Sequence, residues 1–386
     1  MSQVPSANSP SIAWTDPQRQ SAFEAWLGRA AAEHGLLPAS LRLASADASF
    51  RRYFRLDSAD GGTLVVMDAP PGQENCRAFV QVAALLRAAS VRVPAVLAWD
   101  EAQGFMLLDD LGDQTLLTVL DPQQPDAALP YFKDATTALL DLQRSACPDW
   151  LPAYDRALLQ RELQLFPDWY LTRHKGIVID DAMRATLDKT FALVVERNLA
   201  APSVLVHRDF MPRNLMLPRA GFDPADPARR LGVLDFQDAV WGPITYDIAC
   251  LTRDAFLSWE EDFVLDLTIR YWERARKAGL LDFDGWSEDF GAFYRAVEWM
   301  GLQRHLKVAG IFARLTLRAG TLPPEGVGVP SGTADRLCLV PRTSEILSVR
   351  PMAACTRAMP GSRPRASTAK AKRLHQDIRC LPEIEK

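Results

Sequence analysis

The chain has 386 residues with 48% hydrophobic and 24% charged side chains, which suits a soluble globular protein of two ordinary domains or two lobes and excludes a disordered one. Its net charge of -4 gives no basic surface for nucleic acid or acidic lipid. The start, Met1–Pro10, lacks a basic and apolar leader pattern, and no uninterrupted apolar run is long enough to span a bilayer, so a cytoplasmic protein is expected.

Residues 1–12 are rich in Ser and Pro and read as a flexible N-terminus. Asp16 as N-cap, Pro17 at the first helical position and Gly35 just past the end then bracket a helix. Phe23, Trp26, Leu27 and Ala30 form its apolar stripe. Ser49–Asp57 alternates in the strand period, with Phe50, Phe54 and Leu56 on one face; Asp60-Gly61-Gly62 reads as a turn and Thr63–Met67 as the returning strand. A helix is expected from about Asn75 to Ala89, then two short strands around Val93–Trp99 and Phe105–Leu108. Residues 13–110 thus read as an N-lobe built of a small antiparallel sheet with helices, the first part of an α+β protein.

From Tyr131 helical periods dominate, interrupted only by a β-rich insert between Val204 and Asp238, so residues 111–317 read as a mainly helical C-lobe carrying the catalytic and metal loops. After Leu317 the periodicity stops. Residues 318–386 crowd Pro, Gly, Ser and Arg and read as linker or disorder, or as a shifted reading frame or lineage-specific replacement. The six cysteines stand far apart with no Cys-x-x-Cys pair, which argues against a zinc site or a disulfide scaffold.

The chemistry is concentrated in Val204–Leu217 and Leu231–Ala249. One apolar run leads into His207-Arg208-Asp209, with Asn214 five residues beyond that acid, and a second apolar run ends at Asp235. Two short strands would therefore deliver an acid, an amide and a second acid into one place. Phosphoryl transfer needs an acceptor hydroxyl held in line and its phosphate charge neutralised, rather than covalent help from the protein. Asp209 suits a base for that hydroxyl, and Asn214 and Asp235 offer hard oxygen ligands for Mg²⁺. His207 reads as a brace for the loop, and Asp247 as a helix cap or loop anchor ahead of the apolar Ile248–Leu251.

His-Arg-Asp-x-x-x-x-Asn followed by a strand ending Asp-Phe resembles the aminoglycoside phosphotransferase and choline kinase family, over roughly Ala13 to Leu317. The resemblance implies a protein-kinase-like bilobal fold using ATP and Mg²⁺, with the motif falling on His207, Asp209 and Asn214 and the metal-binding pair on Asp235 and Phe236. Within that family SADASFRRYFRL, VMDAPPGQENC, HRDFMPRNLM and LDFQDAVWGPITYD look most like bacterial kinases that phosphorylate N-acetylmuramate and N-acetylglucosamine at the anomeric C1 hydroxyl. That likeness implies a role in peptidoglycan recycling, a pathway link to a sugar-1-phosphate uridylyltransferase, and neither a nucleic-acid nor a membrane partner. Other small hydroxyl compounds (an aminoglycoside, choline or homoserine) remain alternative acceptors, as does a catalytically silent nucleotide-binding module.

The chain departs from the wider kinase pattern at the phosphates. The turn that should cover them, Ala46-Asp47-Ala48-Ser49, has no glycine, leaving small side chains and the Ser49 hydroxyl as donors, or else an ordinary turn. The third strand, LVVMDAPP, holds no Lys; Met67 or Asp68 stands near its expected place. Arg51 or Arg52 could supply the charge, with Arg52 favoured, and without a strand Lys the role of Glu74 at the next helix is open. The inter-lobe hinge is expected at Leu108–Gly112, which makes Asp109 a nucleotide-contacting position. Arg213, Gln237, Asp238 and Arg253 are candidate substrate contacts.

Overall fold

The computed structural model describes residues 12, 14–46 and 50–319. Most of the expected flexible N-terminus, the turn residues 47–49 with Ser49, and the tail from residue 320 lie outside the described residues. The chain forms two compact units. The first comprises residues up to Val119 together with His207–Ala239; the second comprises Leu120–Val206 and the chain from Val240 onward. The segment with the catalytic motif, expected within the helical lobe, therefore clusters with the sheet.

In the first unit, helix α1 (Pro17–His34) is closed at both ends as its sequence dictates. Asp16 accepts the Gln18 N–H at 2.8 Å, and Gly35 ends the helix at φ 63°. Strands β1 (Arg42–Ala46), β2 (Arg52–Asp57), β3 (Thr63–Asp68), β4 (Val96–Asp100) and β5 (Phe105–Asp109) form one antiparallel sheet in the order β1-β2-β3-β5-β4. Helix α2 (Cys76–Ala88) is inserted between β3 and β4 and is capped by Asn75, whose side chain accepts the Ala78 N–H.

Alternation along the strands sets the core. Phe54 and Leu56 on β2, Val66 on β3, and Phe105 and Leu107 on β5 pack against Phe23, Trp26, Leu27 and Ala30 of α1. Truncating a buried ring such as Phe23 would cost about 3–5 kcal/mol. Phe50 does not join this face as expected: β2 begins only at Arg52, and Phe50 is 63% exposed.

The second unit is mainly helical. It contains α3 (Pro125–Gln143), α4 (Arg156–Leu165), a π-helical turn Phe166–His174, α5 (Asp181–Leu199), β6 (Ser203–Val206), β9 (Val240–Pro243), α6 (Thr245–Thr252), α7 (Glu261–Lys277) and α8 (Phe290–Ala319). β6 and β9 pair antiparallel. The first long helix starts at Pro125, ahead of the expected Tyr131. α4 passes into the wider π turn at Phe166-Pro167, where proline has no N–H to continue the ladder. There Gly310 lets α8 approach so closely that a Cβ would lie 2.4 Å from Leu165 backbone atoms.

Arg253, a candidate substrate contact in the sequence, is instead committed to joining α6, α7 and α8. Its guanidinium bonds both Glu261 oxygens at 2.9 Å and Glu298 Oε1 at 2.8 Å, so a substrate would have to compete with two carboxylates. Asp247 is fully buried in the first turn of α6, but Ile244 holds the N-cap position. It fits a buried anchor rather than a cap. Among the described residues no helix is long and apolar enough to cross a membrane, Cys76 and Cys250 are buried thiols, and Cys147 is exposed.

Candidate active site

Chain connectivity delivers the first acid: the apolar β6 runs directly into His207-Arg208-Asp209. A short 3-10 turn, Pro212–Asn214, follows, with the Asn214 N–H donating to Met211 O at 2.8 Å. β7 (Leu215–Met216) and β8 (Gly232–Val233) then pair antiparallel, and β8 leads to Asp235. Hydrogen bonds from Leu217 N to Gln114 O (2.9 Å) and from Val233 N to Arg92 O (2.7 Å) fasten this hairpin within the first unit. They give the physical reason why the motif segment belongs there.

Asn214 binds the two acidic loops together. Its Nδ2 donates to the Asp209 carbonyl at 2.9 Å and lies 3.5 Å from Asp235 Oδ2, while its own carbonyl accepts the Leu234 N–H at 2.9 Å. With the amide nitrogen turned to those partners, Oδ1 is the atom of Asn214 suited to a cation. Gln237 Nε2 donates to Asp235 Oδ1 at 2.8 Å and orients that carboxylate. Asp235 itself is held at φ 65° and Arg208 at φ 78°, left-handed conformations that cost a non-glycine residue about 1–3 kcal/mol each. Strain at Arg208, next to Asp209, and at Asp235 itself marks positions that the surrounding contacts over-determine.

His207 is the brace between the loops. It is buried, accepts the Asp209 N–H through Nδ1 at 3.2 Å, and bonds Leu234 O through Nε2 at 3.0 Å. A ring that accepts at Nδ1 carries its proton at Nε2, so this is the neutral tautomer. Burial depresses its pKa despite the nearby Asp209 and Asp235 charges, which keeps it neutral. Phe236 is also buried, its ring centroid 4.8 Å from that of Phe79, which ties the Asp235 turn to α2. Arg208 donates to the carbonyl of the exposed Asp238 at 3.3 Å, and Arg213 is half-buried within the 3-10 turn.

At the opposite end of β5 stand two neighbouring acids with different environments. Asp109 turns inward and accepts the Ala95 N–H; burial pushes its carboxyl up. Its side chain is thus committed to the β4–β5 edge. Asp110 receives Arg55 in a two-pronged pair, Thr63 Oγ1 at 2.7 Å and Arg219 at 3.0 Å. Burial would raise it, but the Arg55 and Thr63 bonds prevail and hold it below the usual carboxylate range. Gly112 follows at φ 133°, and a Cβ there would meet Leu217 O at 2.4 Å.

At the other end of the sheet the two candidate arginines part company. Arg52 shares the α1 face with Phe54: its guanidinium stacks over Trp14 at 3.8 Å and pairs with the fully buried Asp68, which also receives Arg19. This network is what occupies the strand position where a lysine is missing. Period-two alternation from Phe54 could have placed Arg52 on that face. Arg51 faces the other way, with its Nε 3.4 Å from Glu74 Oε2.

The donor set fits magnesium. Asp235 and Asn214 present hard oxygens on adjoining turns, and Mg²⁺ takes few protein ligands, completing its shell from phosphate and water. Asp209 is anchored next to them through its own backbone N–H and carbonyl.

The Phosphotransferase enzyme family matches residues 40–283. A Pseudomonas putida protein named N-acetylmuramate/N-acetylglucosamine kinase is 48% identical over 310 residues, 80% of this chain and 84% of that one. One of the same name from Pseudomonas aeruginosa is 51% identical over 283 residues, covering 73% and 79%. Among solved structures, choline kinase from Streptococcus pneumoniae superposes with a TM-score of 0.55 at 12% identity over 85% of this chain and all of that one. Plasmodium vivax ethanolamine kinase does so with 0.54 at 12% identity, over 80% and 85%.

The fold is α+β and protein-kinase-like, and the family match with the kinase-named relatives makes this chain a small-molecule kinase. The chain belongs to the phosphotransferase enzyme family.

Proposed function

We propose that this chain is an ATP-dependent amino-sugar kinase, transferring the terminal phosphoryl group to N-acetylmuramate, N-acetylglucosamine or both. The observation that supports the reading is Asn214, bonded to the Asp209 backbone carbonyl at 2.9 Å and 3.5 Å from Asp235 Oδ2, which links the three residues proposed as base and ligands. The sugar comes from the relatives of that name, 45–51% identical over most of this chain.

In this reading Asp209 accepts the proton of the sugar hydroxyl as the hydroxyl oxygen attacks the terminal phosphorus and ADP leaves. Asn214 and Asp235 would hold Mg²⁺, and Gln237 orients the Asp235 carboxylate. When bound, that ion neutralises charge on the phosphates. His207 stays neutral and fixes the spacing between the two loops. The acceptor is the anomeric C1 hydroxyl, so the product is a sugar 1-phosphate, which a uridylyltransferase of peptidoglycan recycling would consume. Arg213 and Asp238, close in sequence to the acids, are proposed sugar contacts.

A substrate panel tests the reading. ATP consumption should rise with N-acetylglucosamine and N-acetylmuramate and stay at background with choline and an aminoglycoside. The product's phosphorus–carbon couplings should place phosphate at C1. ATP consumption with choline but with neither sugar would overturn it.

A further inference from the structure

A nucleoside triphosphate presents several negative charges that a protein must meet with cations and N–H donors. Several arginines of the sheet and its flanks in the first unit are committed to carboxylates. Arg19 and Arg52 converge on the buried Asp68 on the α1 face, and Arg55 closes on Asp110. Arg51 stands apart from these pairs. Its side chain is 11% exposed and its Nε lies 3.4 Å from Glu74 Oε2, itself 17% exposed.

Glu74 does two things at once. Its Oε2 holds the Arg51 guanidinium, and its Oε1 accepts the Phe50 N–H at 3.2 Å. One carboxylate therefore contacts both the cation and the backbone just ahead of β2. Glu74 directly precedes Asn75, the cap of α2, and α2 carries Phe79 against Phe236, the neighbour of Asp235. The guanidinium is thus mechanically linked to the Asp235 turn through one short helix. Arg51 stands directly before β2, whose Arg55 bonds Asp110 and the Gly112 carbonyl in the Leu108–Gly112 link. Three residues separate Arg51 from Arg55, so the two guanidinium-bearing positions lie at most about 13 Å apart along the chain.

We propose that Arg51, oriented by Glu74, binds the phosphates of the nucleotide in place of a strand lysine. This rests on the ATP-dependent reading above. A planar guanidinium suits the role because it can engage two phosphate oxygens at once, while a carboxylate behind it limits the rotamers it must give up on binding.

Calorimetric titration of the full chain with Mg·ATP and with adenosine tests the assignment in wild type, Arg51→Ala, Arg51→Lys, Glu74→Gln and Arg77→Ala. Arg77 lies on α2 in an exposed pair with Glu101 and serves as a control. Arg51→Ala should weaken ATP binding about 10- to 100-fold and leave adenosine within about twofold. Arg51→Lys should fall between, Glu74→Gln should lose a smaller factor for ATP alone, and Arg77→Ala should match wild type. Unchanged ATP affinity in Arg51→Ala, or equal loss for ATP and adenosine, would overturn the proposal. If Arg51→Ala fails to fold, Glu74→Gln and Arg51→Lys decide by the same ATP-against-adenosine comparison. Binding is read without turnover, so a wild type that binds ATP yet phosphorylates no sugar would refute the substrate reading and leave the Arg51 result standing.

Discussion

The amide nitrogen of Asn214 lies 3.5 Å from Asp235 Oδ2, although 21 residues and a β-hairpin separate the two in sequence. The hairpin β7–β8 returns the chain so that an amide and a carboxylate share one locus, and neither would be a useful cation ligand alone.

Metal dependence should follow from that pairing. Asp235→Ala should abolish activation at ordinary magnesium concentrations. Gln237→Ala, which removes the 2.8 Å bond to Asp235 Oδ1, should raise the magnesium needed for half-maximal rate about 10-fold. Magnesium titration of the initial rate checks both. Gln237→Ala with an unaltered magnesium curve would show that Asp235 needs no such support.

Stability of the helical unit should depend on a buried ion pair. Lys307 Nζ on α8 lies 3.1 Å from Glu162 Oε1 on α4 and donates to Tyr246 OH at 3.0 Å, while Tyr154 OH donates to the other Glu162 oxygen. Lys307→Met leaves a buried carboxylate without its cation and should cost about 3–5 kcal/mol. Adding Glu162→Gln should recover part of that loss, because the uncompensated charge goes too. Denaturant melts of the two single variants and the double variant measure this. A double variant as unstable as the sum of the singles would contradict it.

Stability should also fall in mild acid. Burial, then the adjacent Arg304 charge, pushes the His305 pKa down to about 4. The unfolded chain, with histidine near its ordinary 6.5, binds the proton more readily. The contribution is therefore complete above about pH 6.5 and is lost as pH falls toward 4, by up to about 3 kcal/mol. Melting temperature measured from pH 7.5 to 4.5 should drop in wild type and drop less in His305→Gln. Parallel curves would contradict the assignment.

Much of this was legible in the sequence, for identifiable reasons. α1 could be read because Asp16, Pro17 and Gly35 punctuate a strong apolar stripe. The candidate site could be put forward because its residues fall in two short segments whose order and spacing are themselves the signal, and Asn214 bonds residues of both segments. β1 went unread, since Arg42–Ala46 has little of the β-branched or aromatic content that marks a strand. The partners of Arg52, Asp110 and Arg253 were hidden because they come from residues far along the chain: Asp68, Arg219 and Glu298. Charged side chains carry no periodic mark of which carboxylate they will meet, so only the fold decides whether an arginine faces a ligand or a partner.

The most direct test of the account replaces the base and keeps everything that holds it. Asp209→Asn preserves size and leaves the backbone bonds to His207 and Asn214 intact. With Mg·ATP and N-acetylglucosamine, phosphorus NMR of the wild-type reaction should show a growing sugar-phosphate signal. Asp209→Asn should form it about 10²- to 10⁴-fold more slowly while binding ATP within about twofold of wild type. Turnover by Asp209→Asn at close to the wild-type rate would contradict the central claim.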